Sequence, residues 1–123
     1  MNLREILKAV NGRLLSTNAD LNREVDYGAA ADLMSDVLAF TNANAVLVTG
    51  LTNSQVVRTA EMAEVSVLVF CRGKMPSPDT KSLAEERGIP LVVSDYTMFE
   101  ACGRLFTAGL RGSDPIPPSK LTC

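Results

Sequence analysis

The sequence contains no histidine and no tryptophan, and aromatic residues make up only 5% of its 123 positions. Without histidine, the chain has no Ser-His or Cys-His nucleophile pair, no imidazole acid–base catalyst and no histidine-bound metal. The remaining side chains show no convincing nucleophile–base pair. We therefore predict no catalytic residues, no metal site and no cofactor.

Cysteine is also scarce, with Cys71, Cys102 and Cys123 widely spaced along the chain. Their spacing matches no zinc-binding or redox motif, and an odd count argues against a disulfide framework. We predict reduced thiols in a reducing compartment.

Neither a strong charge nor a long hydrophobic run is present. The formal net charge is -2, so no global basic field attracts nucleic acid or an anionic membrane. No apolar run approaches the roughly 18 residues that span a bilayer. The segment 1–5 lacks the layout of a secretion signal. We predict a cytoplasmic protein with neither nucleic-acid nor membrane partners.

Three short apolar runs, 45–50, 65–71 and 89–95, form the centre of the chain, and two segments with helical periodicity separate them. A run that is apolar on both faces is typical of a strand buried in a parallel sheet. Strands that alternate with helices favour right-handed crossovers. The pattern predicts an α/β fold of three layers, with a mainly parallel central sheet of four to five strands and helices on both faces.

The flanking segments complete this prediction. Helical spacing predicts a first helix over 2–10, a short strand over 13–17 and a helix over about 29–41, and residues 25–27 are a candidate edge strand. A last helix ends near Ala108. We expect a single domain over 1–110.

Residues 111–123 contain Gly112, Pro115, Pro117 and Pro118. We interpret this stretch as a flexible tail without a packing role, with partner binding as the alternative.

Ligands of open parallel sheets bind outside the carboxyl ends of the strands, so the loops after the three central runs are the place to search. These loops are polar, mildly cationic and rich in helix starts, which suits a small anion held by backbone N–H groups. The predicted ligand-binding residues are Gly50, Thr52, Asn53, Ser54, Arg72, Gly73, Lys74, Asp95 and Thr97.

Simpler roles remain open for several of these side chains. Asn53, Ser54 and Thr97, like Ser77 nearby, have the positions of helix caps. Arg72 and Lys74 have the character of solvated loop charges, and Asp95 is a candidate cap for the last helix. The glycine-rich phosphate loop of nucleotide hydrolases is absent, because 55–57 reads Gln-Val-Val where Gly-Lys-Ser/Thr is required.

Specific motifs carry a family resemblance. The chain has Val48-Thr49-Gly50 followed by Leu51-Thr52-Asn53, then Phe70-Cys71-Arg72-Gly73, then Gly88-Ile89-Pro90-Leu91-Val92-Val93, and finally Ser94-Asp95-Tyr96-Thr97-Met98-Phe99. In this order and spacing, residues 13–107 resemble a DRTGG domain. That family is a small α/β module of some phosphotransacetylases and CBS-domain pyrophosphatases, and it is similar to the N-terminal domain of HPr kinase.

The resemblance implies a non-catalytic regulatory module that tends to self-associate. We therefore expect a homodimer that senses a small anionic metabolite, with a nucleotide as the favoured ligand, or that docks on a partner enzyme. Two alternatives stay open. One is a purely structural subunit of a larger complex, and the other is a small enzyme that uses Asp95 with Lys74 or Arg72 on a phosphorylated or acyl substrate.

Overall fold

The computed structural model describes residues 1–113. Five helices and five strands follow one another along this part of the chain. The helices are α1 (Leu3–Ala9), α2 (Met34–Phe40), α3 (Ser54–Met62), α4 (Pro78–Arg87) and α5 (Met98–Thr107). The strands are β1 (Arg13–Leu14), β2 (Tyr27–Ala30), β3 (Ala45–Thr49), β4 (Val67–Phe70) and β5 (Leu91–Val93).

The strands form one sheet in the order β1-β5-β4-β3-β2. Strands β2 to β5 are parallel, and β1 pairs antiparallel with β5 at the opposite edge. The central register places Val46 opposite Val67 and Val69 opposite Val92. The predicted mainly parallel sheet is therefore confirmed, because its central strands are buried on both faces as their unbroken apolar runs require.

Side chains alternate between two cores, one on each face of the sheet. Val46 and Val48 of β3 pack in the cluster that includes α1 and α5, whereas Leu47 packs in the cluster that includes α2, α3 and α4. Each fully buried valine or leucine contributes about 1.5–3 kcal/mol of transfer free energy. The three layers expected from the sequence are thus present, with helices on both faces.

The segment before α2 differs from the prediction. A helix was expected from about residue 29, but the chain continues as a strand to Ala30, and α2 begins only at Met34. Residues 27–30 pair in parallel register with β3, and the small residues Gly28 and Ala30 line the space between this strand and α5. A Cβ on Gly28 would lie 2.9 Å from Leu110 Cδ2, so close packing decides this segment more than local helical spacing.

The boundaries of α4 match their sequence signals. Ser77 caps the helix with its side chain, Pro78 occupies the first turn, and Gly88 ends it in the left-handed conformation at φ 67°. Ser77 and Gly88 pair backbone groups that a helix end leaves unpaired, and Pro78 has no N–H that needs a partner in the first turn.

The chain after α5 returns to the edge of the sheet. Leu110 is buried, and the carbonyl oxygen of Arg111 accepts a hydrogen bond from the Gly28 N–H at 2.9 Å. Arg111, where the predicted tail begins, therefore contacts β2. Residues 114–123 of that predicted tail lie outside the described residues. Within 1–113, no helix has the length and apolar character needed to cross a bilayer.

Candidate functional site

The carboxyl ends of β2, β3, β4 and β5 meet at one rim of the sheet, because these strands are parallel neighbours. The loop after β4 contacts both adjoining loops. Arg72 donates its backbone N–H to the Tyr96 carbonyl at 2.7 Å, and Lys74 Nζ donates to the Gly50 carbonyl at 3.3 Å. The three loops singled out by the sequence therefore converge, while ligand binding by their residues stays a prediction.

A tight turn holds the cationic loop in place. Arg72 and Gly73 have positive φ values of 59° and 66°, and the Lys74 N–H donates to the Cys71 carbonyl at 3.3 Å. Two successive positive φ values are the mark of a type I′ turn. Arg72 is a rare non-glycine residue in this conformation, which is less favourable for a side chain with a Cβ. The turn projects the Arg72 guanidinium over Gly50, since a Cβ on Gly50 would lie 3.2 Å from Nη2.

The backbone N–H groups of this turn do not form the expected anion cradle. The N–H groups of Arg72 and Gly73 are bonded to carbonyls of the loop after β5, and that of Lys74 closes the turn. After β3, the Gly50 N–H donates to Asp32 Oδ1 and the Leu51 N–H to Thr49 Oγ1. These donors serve to join the loops to one another.

Free N–H groups lie instead at the start of α3. Those of Thr52, Asn53, Ser54 and Gln55 make no hydrogen bond with another described residue. Asn53 occupies the N-cap position, but its side chain makes no capping hydrogen bond. Unpaired N–H groups at a helix start favour a negative charge. This end of α3 directly follows the Gly50 loop, which the two exposed cations Arg72 and Lys74 approach at Gly50.

The capping alternative holds for other residues. Thr97 Oγ1 accepts a hydrogen bond from the Glu100 N–H at 3.2 Å, and Ser77 Oγ accepts one from the Thr80 N–H at 3.3 Å. Thr97 is therefore a helix cap, and its hydroxyl is already engaged. Asn53, by contrast, is a predicted site residue at an N-cap position whose side chain makes no capping bond, so this side chain is available to a ligand.

Asp95 does not cap α5. Its carboxylate lies 3.4 Å from Arg13 Nη1, in an ion pair whose side chains are 72% and 55% exposed. A pair this exposed contributes little stability, about 0–1 kcal/mol, because water and salt screen it. The pairing nevertheless adds Arg13 to the charges that border the loop after β5.

Asp32 belongs to the rim, although the sequence did not single it out. Its Oδ1 accepts hydrogen bonds from the Gly50 N–H at 2.8 Å and from Thr49 Oγ1 at 3.0 Å. The residue follows β2, a strand that the helical spacing concealed. Had the strand been recognised to its end at Ala30, the rule of carboxyl-end loops would have included Asp32.

The charged side chains of the rim, Arg72, Lys74 and Asp95, are exposed. Four cavities among residues 1–113, with volumes of about 190, 360, 360 and 540 Å³, are lined by residues outside the rim loops. A ligand bound by these charged side chains would therefore lie at the surface. Such a surface suits recognition of charged groups through Arg72, Lys74 and the α3 start, with little burial of an apolar body.

Of the two described cysteines, one is buried and the other is partly buried. Cys71 is buried and its Sγ donates to the Thr49 carbonyl at 3.5 Å. Burial raises the pKa of the half-buried Cys102 thiol above 9.0, and repulsion from Cys71 adds to the shift. A raised pKa disfavours the thiolate, which is the reactive form. No grouping of three or more potential metal-binding side chains occurs among residues 1–113.

Comparison with known proteins provides two findings. The family model described as "DRTGG domain" matches residues 5–108. The fold is similar to a solved structure of the CBS and DRTGG domains in the regulatory region of Clostridium perfringens pyrophosphatase, complexed with the activator diadenosine tetraphosphate. The TM-score is 0.68 at 18% identity, over 87% of this chain and 46% of that one. At this identity the likeness shows a shared fold. No curated protein matches the sequence significantly.

Proposed function

This chain belongs to the DRTGG domain family, and from that membership we propose that it is a regulatory module which binds an anionic metabolite at the carboxyl rim of its sheet. The observation that carries the proposal is the placement of two exposed cations, Arg72 and Lys74, over Gly50 beside the free N–H groups of α3. Cations and helix-start N–H groups attract the same kind of ligand, an anion.

The rim favours binding over catalysis. Of its two carboxylates, Asp95 is paired with Arg13, and Asp32 accepts hydrogen bonds from Thr49 and Gly50. Neither lies in a nucleophile–base arrangement, and the chain has no histidine to complete one. A regulatory role requires only that ligand binding change the stability of the rim loops.

A nucleotide is the ligand class that we place first. The phosphates carry the negative charge that Arg72 and Lys74 would bind, and an open surface leaves the base free to project outward. The pyrophosphatase region of similar fold was solved with a dinucleotide activator. That region also contains CBS domains, and this chain spans 46% of it, so nucleotide binding by this chain is part of the proposal.

Exposed apolar side chains favour a second version, in which the rim docks on a protein. Phe99 is 88% exposed, Leu33 is 61% exposed and Met75 is 59% exposed. All three lie in or next to rim loops, and aromatic residues, Met and Arg are enriched in protein interfaces. A second copy of the chain or a partner enzyme would cover them.

Calorimetric and thermal-shift titrations test the ligand version. The full chain is titrated with ATP, AMP, diadenosine tetraphosphate and pyrophosphate, alongside Arg72→Gln, Lys74→Gln and the matched control Arg58→Gln. Arg58 is an exposed cation on α3 without an ion pair to a described residue. A ligand should raise the Tm of wild type and Arg58→Gln by mass action. Either rim variant should bind the same ligand about tenfold more weakly and should show a smaller rise in Tm.

The outcomes separate the versions. If no compound shifts Tm at millimolar concentration, the ligand version fails. Sedimentation of wild type and of Phe99→Ser then tests whether the rim docks on a second copy of the chain. If both proteins sediment as monomers, docking on a second copy is overturned.

A further inference from the structure

A small apolar cavity lies between α5 and the β2 edge of the sheet, apart from the cationic loops. Its volume is about 190 Å³. Gly28 and Ala30 of β2 keep it open because their side chains are minimal, and Val48 of the neighbouring strand forms its floor. Cys102 and Phe106 line it from α5.

The chain segment after α5 forms the wall at the mouth. Leu110 packs against Gly28, and the Arg111 carbonyl accepts the Gly28 N–H at 2.9 Å, which fixes the segment against the strand. The cavity is therefore bounded by paired backbone on this side.

Arg111 places one cation at this apolar cavity. Its Nη1 donates to the carbonyls of Phe106 at 2.9 Å and Leu110 at 3.2 Å, and its guanidinium stacks 4.0 Å from the centroid of the Phe106 ring. These contacts orient the group. Its Nη2 and Nε donors have no hydrogen-bond partner among residues 1–113, so the planar fork still has donors to offer a carboxylate.

From this geometry we propose that the cavity binds a small carboxylate whose apolar body has about the size of a benzene ring. A dry cavity of about 150 Å³ is enough for benzene, so the volume here admits one ring and a short substituent. The ring would contact Val48, Cys102 and Phe106, whereas the carboxylate would pair with Arg111. The apolar lining and the single cation select for this combination over a phosphate or a sugar.

The charge of Arg111 and the apolar lining of the cavity should contribute separately to the affinity for a carboxylate, and each contribution can be measured. Benzoate and cyclohexanecarboxylate are titrated calorimetrically into the full chain, with benzamide as the neutral analogue of benzoate. Arg111→Gln should weaken both carboxylates by about tenfold, because a charge-assisted hydrogen bond is lost, and should leave benzamide unchanged. The control Arg104→Gln removes an α5 cation that stacks on Tyr96 and does not line the cavity, and this variant should bind like wild type.

Filling the cavity should abolish binding. Ala30→Leu adds bulk from the strand at an exposed position, and Cys102→Leu does so from the helix, so that one variant is informative if the other fails to fold. Saturating benzoate should also slow iodoacetamide alkylation of Cys102 several-fold, measured by mass spectrometry on the Cys102 peptide. Alkylation of the buried Cys71 reports global opening, which bound benzoate also suppresses by mass action, so occupancy of the cavity is shown by protection of Cys102 at times when Cys71 has not yet reacted.

Two results would overturn the proposal. One is the absence of both heat and Cys102 protection with either carboxylate at millimolar concentration. The other is unchanged benzoate affinity in Ala30→Leu and Cys102→Leu, which would place the bound ring elsewhere.

Discussion

Asp32 accepts a hydrogen bond from the Gly50 N–H at 2.8 Å, and this bond joins the end of β2 to the end of β3 at the rim of the sheet. The same oxygen, Oδ1, accepts from the buried Thr49 hydroxyl. One carboxylate thus satisfies two donors that the strand end leaves unpaired, and it fixes the loop over which Arg72 and Lys74 lie.

Replacing Asp32 should therefore destabilise the fold. We expect Asp32→Ala to lower the free energy of unfolding by about 1–2 kcal/mol, since two donors lose their partner at a partly hydrated site. Asp32→Asn keeps an acceptor oxygen and should lose less than half of that. Urea unfolding measures both, with Glu86→Ala as an exposed acidic control without a bond to a described residue. Equal stability of the two Asp32 variants would contradict this role.

Gly73 and Gly88 form a matched pair. Both have positive φ, at 66° and 67°, but a Cβ on Gly73 would lie 3.0 Å from Asp95 Oδ1, whereas a Cβ on Gly88 would meet open space. Each substitution by alanine should cost about 1 kcal/mol from the left-handed conformation. Gly73→Ala should cost more, because Asp95 must also shift. Chemical denaturation compares the two, and a larger loss at Gly88 would refute the steric part.

Ser77 and Asn53 separate capping from binding. Ser77→Ala should reduce stability by about 1 kcal/mol, because its hydroxyl caps α4 and also bonds Thr80 Oγ1 at 2.9 Å. Asn53→Ala should change stability by much less, since its side chain makes no capping bond. Thermal unfolding measures both variants. A loss at Asn53 as large as that at Ser77 would mean that its side chain has a structural role.

The Cys102 thiol should make stability depend on pH in the alkaline range. Burial raises the pKa of this group in the folded chain above 9.0, its ordinary value. The unfolded chain then releases its proton first, so stability is full below the ordinary pKa and falls as pH rises through the higher folded value. Urea unfolding of wild type and Cys102→Ala at neutral pH and at about pH 10 isolates this contribution. The wild type should lose more stability than the variant between these two pH values. Equal losses in both would exclude a contribution of the Cys102 thiol.

Much of the fold follows from local signals in the sequence. The three apolar runs mark β3, β4 and β5 because strands covered on both faces need apolar side chains in both directions. Ser77, Pro78 and Gly88 bound α4 through their own backbone preferences. The segment around Ala30 could not be assigned this way, since glycine and alanine have no strong strand preference and Leu110, far along the chain, supplies the packing.

The rim likewise combines features that the sequence indicates with features that only the folded structure shows. Spacing along the chain was enough to indicate that the loops of Gly50, Arg72 and Asp95 meet, because parallel strands bring their carboxyl ends to one edge. It could not show which N–H groups remain free, since hydrogen bonds between loops consume those of Arg72 and Gly73. Nor could it show that Asp32 joins the rim or that Arg111 faces an apolar cavity.

The sequence alone thus determined the layers, the direction of the central strands and the family, all of which depend on periodicity and on turn residues close together in the chain. The tertiary structure decided which charges and donors are available. Availability depends on partners distant in sequence, such as Asp32 for Gly50 and Arg111 for Gly28, and only the folded chain brings those atoms within a hydrogen-bond length.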